Sequence, residues 1–138
     1  MYMSVVEGYS TTVITLETLF KQPLDFTQCI IIAAGTQDTR LLTLLSHIQQ
    51  AGYASYPKEK FMVMVQSLEK SMGHEEALNE AMTLTKEDLF YTSNNCWFGP
   101  QTMSVLLTAV QHSAQNVFAL CPQNIMSLWS NIRDNYDN

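Results

Sequence analysis

The chain has 138 residues, 46% of them hydrophobic and only 14% charged, with thirteen acids against seven bases for a formal net charge of −6. That length and apolar content suit one domain with a full core, and residues 1–138 are read as such. The bases Lys21, Arg40, Lys58, Lys60, Lys70, Lys86 and Arg133 are dispersed, which excludes the clustered Lys and Arg that phosphate backbones require.

In chain order, the first ten residues read as irregular. The stretch TTVITLETLF, Thr11 to Phe20, fits a strand with alternating Thr or a helix with Leu16, Leu19 and Phe20 inside. Asp25 stands three residues before Gln28, as in a capping box, so a helix is expected from Phe26, with Phe26, Cys29, Ile30 and Ala33 on one face and Gly35 ending it. The three β-branched residues Ile30, Ile31 and Ile32 argue the other way, for a strand. The following GTQDTR is no phosphate loop. It has one glycine, lacks the GK[ST] ending, and puts the Asp38 carboxylate at the helix N-cap, where it would repel an anion.

Apolar residues then recur at helical spacing. Leu41, Leu44, Leu45 and Ile48 predict a helix over 38–51, ended by Gly52. Phe61, Met64, Val65, Leu68 and Met72 predict one over 57–72. Shorter helices are expected over 74–83 and 86–91, the latter with Thr85 and Asp88 resembling a capping box. Met103, Leu106, Leu107, Val110 and Ala114 predict a helix over 100–116, and Ile125, Leu128, Trp129 and Ile132 one over 122–133. Proline before and glycine after several of these runs is the asymmetry of helices. The expected fold is therefore all-α, a compact bundle of five to seven helices, with an α+β fold carrying a small N-terminal strand element as the alternative. Leu44, Leu45, Leu68, Leu107 and Trp129 are expected in the core.

Chemistry is sparse. His74 opens HEEAL, but position 78 is Leu, so the second ligand of a HExxH zinc site is missing. The residues three before His47, His74 and His112 are Leu44, Ser71 and Ala109, so no ExxH di-iron motif exists. No cofactor or metal is expected. LLTLLSHIQQ and LLTAVQHSAQ share LLT, an apolar residue, His and Gln at matching offsets. This is either a trace of duplication or two similar amphipathic helices. The cysteines Cys29, Cys96 and Cys121 are odd in number with no CxxC and do not form a disulfide framework. Cys29 reads as core, Cys121 precedes Pro122 at an inferred helix start where the dipole favours thiolate, and Cys96 in SNNCWFG is the accessible thiol, neither of the latter two tied to a base. The N-terminal MYMSVVEGYS lacks the basic segment and apolar run of a signal peptide, and no stretch approaches the roughly 18 apolar residues of a membrane span. A reduced cytoplasmic protein is expected.

What remains is a surface. Glu75, Glu76, Glu80, Glu87 and Asp88 make the densest negative charge, and Tyr91 and Trp97 are aromatics with a polar atom, suited to interfaces. Together these seven residues are the expected docking face for a protein with a basic surface. Met62, Met64 and Met72 read as core filler, or as a groove for a helix. The leading function is a protein-binding module that neutralises or escorts its partner, of immunity, antitoxin, secretion-chaperone or adaptor type. The rivals are a small enzyme or ligand-binding domain built from dispersed residues, marked by a deep polar cleft holding His47, His112 or a cysteine, and a structural subunit of a phage or secretion assembly. Homo-oligomerisation is left open.

Overall fold

The computed structural model describes residues 1–5, 8–34, 36–66, 74–84 and 88–112. Strands and helices alternate: β1 (Tyr2–Val5), α1 (Tyr9–Phe20), β2 (Cys29–Ala34), α2 (Thr39–Ala51), β3 (Phe61–Gln66), α3 (His74–Leu84), β4 (Tyr91–Ser93) and α4 (Thr102–Gln111), with one 3-10 turn at Lys58–Lys60 before β3. Among the described residues the strands form one four-stranded sheet in the order β3-β2-β1-β4. Every pairing is parallel, with Tyr2 opposite both Ile30 and Tyr91, and Cys29 opposite Phe61.

This α/β architecture overturns the all-α bundle. The expected helix from Phe26 is instead strand β2, and the expected helix over 57–72 holds β3 at Phe61–Gln66, residues 67–72 lying outside the described part. The expected helix over 86–91 is not formed at 88–91, where the chain enters β4, and the N-terminal residues expected to be irregular supply central strand β1. The α+β alternative is overturned as well: the N-terminal strand it read at Thr11 to Phe20 is helix α1, and the strands form one parallel sheet. The physical reason is burial on both faces. Parallel strands covered by helices on each side read as continuous apolar runs with no period. CIIIAA, buried from Cys29 to Ala33, is such a run, and FMVMV on the edge strand β3 is equally continuous although Met62 and Val65 are exposed; a continuous run satisfies a helical stripe as readily as any other template.

The sheet has two apolar faces. On one, Met3, Val5, Cys29, Ile31, Ala33 and Phe61 cluster with Leu16, Leu19 and Phe20 of α1 and Leu41, Leu45 and Ile48 of α2. On the other, Tyr2, Ile30 and Ile32 meet Ala81 of α3, with Met64, Leu89 and Tyr91 alongside. Right-handed crossovers demand this division: β1 to β2 to β3 steps one way across the sheet, and the return to β4 takes the opposite face. Thr11 to Phe20 resolves as helix. Its Thr12, Thr15 and Thr18 hydroxyls donate to the carbonyls of Gly8, Thr11 and Ile14, so the β-branched polar residues are satisfied within the helix. Helix α2 follows the sequence reading closely, with Asp38 Oδ1 accepting from Arg40 N–H at 3.0 Å and Gly52 N–H closing it onto Ile48 O at 2.8 Å.

The expected core is revised in part. Leu45 is buried and Leu44 half-buried, but Leu107 is 40% exposed on α4, where Met103 is the buried residue. Leu68, Trp129 and the helix expected over 122–133 lie outside the described residues.

Candidate functional site

The strand order fixes where a site is expected. It runs from β1 to β2 to β3 on one side and resumes with β4 on the other. In open parallel sheets such a reversal leaves a crevice at the carboxyl ends of the strands, where ligands bind. Here that edge is formed by the start of α1, the residues before α2 and the segment after β4. Gly8 precedes α1 at φ +117, a region that favours glycine, and no side chain caps the helix.

The segment after β4 does not wander. Asn94, buried, donates from Nδ2 to Thr12 Oγ1 at 2.8 Å. Cys96 N–H donates to Thr15 Oγ1 at 3.0 Å, Phe98 N–H to Thr18 Oγ1 at 3.1 Å, and Gln22 Nε2 to Gly99 O at 2.9 Å. Met103 N–H then donates to Gln22 Oε1 at 3.2 Å. Residues 12, 15, 18 and 22 are successive turns of one helix face. The polar stripe of α1 thus binds the Asn94 side chain and the backbone from Cys96 to Met103, holding that segment along the length of α1.

Between the start of α1 and one face of α2 lies an open groove of about 400 Å³, lined by Tyr9, Thr39, Arg40, Thr43, Leu44 and His47. The Arg40 guanidinium stands 4.9 Å from the centre of the Tyr9 ring, and Arg40 Nε is 3.7 Å from Asp38 Oδ1. A second open groove on α4 is lined by Gln101, Ser104, Val105, Thr108, Ala109 and His112. The two histidines singled out by the shared LLTxxxHxxQ pattern therefore sit on separate grooves.

The acids and aromatics of the expected docking face are placed as follows. Glu75 and Glu76 are exposed in the first turn of α3, and Asp88 is exposed after it. Glu80 turns inward and accepts from the Tyr2 hydroxyl at 3.3 Å. Burial first, and then the Glu80 carboxylate, hold the Tyr2 phenol well above its ordinary pKa. Tyr91 is half-buried: its ring stacks on Tyr2 at 5.8 Å between centroids, and its hydroxyl lies 3.0 Å from Ser4 Oγ. Trp97 is exposed, but on the segment bound along α1, whose neighbours Cys96 and Phe98 join the cluster on the other side of the sheet from α3. Glu87 lies outside the described residues. The structure thus joins Glu75, Glu76 and Glu80 on one helix, sets Tyr91 under it, and separates Trp97 from them.

The outward surface of α3 carries residues that sequence reasoning passed over. Leu78 is 39% and Met82 46% exposed, one turn apart, and Leu84 is exposed at the helix end. The helix meets the sheet through Ala81, a small residue, which leaves its larger apolar side chains outside. Met62, paired with Ile30 and so on the same face of the sheet, is also exposed. Their signal in the sequence was faint, because Leu78 and Met82 fit an ordinary amphipathic helix.

Cys29 is buried on β2, and burial pushes its thiol up to about 11, so it is an inert core thiol. Cys96 is half-buried, with Sγ 3.6 Å from Ser93 Oγ. Cys121 and its inferred helix start lie outside the described residues. Among the described residues no three His, Cys, Asp or Glu converge on a point where a metal ion could sit, and no helix is long and apolar enough to cross a membrane. No protein-family profile, curated protein or solved structure matches the chain.

Proposed function

We propose that this chain is a protein-binding module that docks a basic partner on the outer face of α3 and so neutralises or escorts it. The observation that carries the reading is the mixture on that face: Glu75 and Glu76 exposed beside exposed Leu78 and Met82. Neighbouring exposed apolar side chains rimmed by charged residues are the mark of an interaction surface. The acids would steer a cationic partner into encounter, in keeping with the net charge of −6. Leu78 and Met82 would be desolvated on contact and slow its release, Met adapting its shape to the partner. The same reading draws on the two histidines lying on separate open grooves rather than in one deep polar cleft. The compartment proposed is the cytoplasm, where the free thiols Cys29 and Cys96 would stay reduced.

The test is affinity capture with the full chain, run beside two variants whose helical content is checked by circular dichroism. Glu75→Lys/Glu76→Lys should slow association and reduce its salt dependence, while Leu78→Ser/Met82→Ser should speed dissociation. A partner captured equally by wild type and both folded variants would place the interface elsewhere, with Trp97→Ala as the next variant to examine.

A further inference from the structure

The groove at the start of α1 and α2 is a second candidate site, independent of α3. Arg40, Thr43, Leu44 and His47 are spaced i, i+3, i+4 and i+7, so they form one stripe on α2, about 10 Å long at the helical rise of about 1.5 Å per residue. Tyr9, the first residue of α1, supplies the facing side. No carboxylate lines the groove, and Arg40 is its cation, in a chain where acids outnumber bases. Asp38 stands next to it, but its carboxylate is committed to capping α2 through the Arg40 backbone N–H at 3.0 Å and is only 23% exposed. It meets the guanidinium through Nε, which leaves the two terminal amino groups of Arg40 as donors for a ligand. The Tyr9 ring beneath the guanidinium holds it in place by a cation–π contact. The two helices follow β1 and β2, so Tyr9 and Arg40 in their first turns stand toward the carboxyl edge of the sheet.

We propose that this groove binds a small organic oxyanion, its phosphate or carboxylate group paired with Arg40 and its organic part lying along Thr43 and Leu44 toward His47. Arg is the residue suited to this, because its planar fork matches either group in two parallel hydrogen bonds. The apolar Leu44 and the imidazole give the remainder of the ligand something to rest on, which a bare inorganic ion would not use.

The experiment is a nuclear magnetic resonance titration of the uniformly 15N-labelled full chain with adenosine monophosphate, citrate and inorganic phosphate, each compared with sodium chloride at equal ionic strength. Saturable shifts are expected for the amides of Tyr9 and residues 39–47 with at least one of the organic probes, at lower concentration than with inorganic phosphate. Arg40→Gln, an exposed substitution that leaves the fold intact, should weaken that binding about tenfold or more, whereas Thr108→Val on α4 should not change it. Three results would each overturn the proposal: shifts no different from those of sodium chloride, inorganic phosphate binding as tightly as both organic probes, or binding that survives Arg40→Gln.

Discussion

Thr15 and Cys96 lie 81 residues apart in the chain and are joined through one hydroxyl: Cys96 N–H donates to Thr15 Oγ1 at 3.0 Å, and that hydroxyl reaches Cys96 O at 2.8 Å. The hydroxyl also lies 2.8 Å from Thr11 O, so its single proton is shared between two carbonyls. Replacing it with a methyl group preserves shape and removes both the acceptor and the donor. Thr15→Val should therefore cost about 1–3 kcal/mol, the penalty for leaving a buried backbone group unpaired, and Thr15→Ser should recover most of it. Thr108→Val, whose hydroxyl donates to Ser104 O on the exposed side of α4, should stay within about 0.5 kcal/mol. Urea unfolding of the three variants checks this. Equal stability of Thr15→Val and Thr108→Val would mean that the segment from Asn94 to Met103 is not held by the α1 stripe.

The two-sided sheet makes a second prediction. Ile31 and Leu45 are buried in the larger cluster, so truncating either to Ala should cost about 2–5 kcal/mol. Leu107, expected in the core from its helical spacing, is 40% exposed, and Leu107→Ala should cost under about 0.5 kcal/mol. The contrast between Leu45 and Leu107, both on helices, separates the parallel-sheet arrangement from a bundle in which both would be interior.

A third prediction concerns alkaline pH. The Cys29 thiol is raised from 9.0 to about 11, chiefly by burial. Its folded pKa lies above the unfolded one, so the folded state holds the proton longer. Stability should be unaffected below the unfolded value and should fall as pH rises from about 9 toward 11. Cys29→Ala should flatten but not abolish the fall above pH 9, because Tyr2 and Tyr56, both raised from 10.0, add their own loss there. Under native conditions a thiol reagent should label Cys96 much faster than Cys29. Comparable labelling of the two would show that β2 is not shielded.

Some of this was legible in the sequence and some was not, for identifiable reasons. Helix α2 announces itself because one face meets the core, through Leu41, Leu45 and Ile48, with Asp38 and Gly52 marking its ends. Strands β2 and β3 do not, because β2 is buried on both faces and its pairing is parallel. Parallel pairs leave no hairpin signal: Tyr2 pairs with Ile30 and with Tyr91, and nothing local in the chain records either contact. The same distance explains the sites. Exposed Glu75 and Glu76 were readable from charge density, whereas the stripe from Arg40 to His47 is not singled out by the apolar pattern, which marks Leu41, Leu44, Leu45 and Ile48 instead. That Tyr9 closes a groove on that stripe, or that Trp97 lies across the sheet from α3, follows only once the strand order is known.

The last prediction rests on Gly52, at φ +78 where α2 ends. A Cβ there would stand 2.3 Å from Tyr56 O, 2.8 Å from Lys58 N and 2.9 Å from Pro57 C. All three are backbone atoms, so relief requires moving the turn rather than rotating a side chain. The turn is closed by Tyr53 N–H to Tyr56 O at 3.0 Å and Tyr56 N–H to Tyr53 O at 2.9 Å. Moving it displaces Tyr56, whose hydroxyl donates to Leu24 O at 2.7 Å and accepts from Phe26 N–H at 2.9 Å, and whose ring meets Phe20 edge-on at 4.9 Å. Gly52→Ala is thus expected to cost well over about 1 kcal/mol, more than the ordinary strain of Ala at positive φ, and to perturb the amide resonances of Leu24 and Phe26. Gly99→Ala is the comparison: its Cβ would meet the Thr102 hydroxyl at 3.2 Å and otherwise the Trp97 ring at 3.8 Å, with no positive φ to strain. If Gly52→Ala were no less stable than Gly99→Ala, the α2–β3 connection would be free to yield, and its coupling to Phe20 and Phe26 through Tyr56 would be wrong.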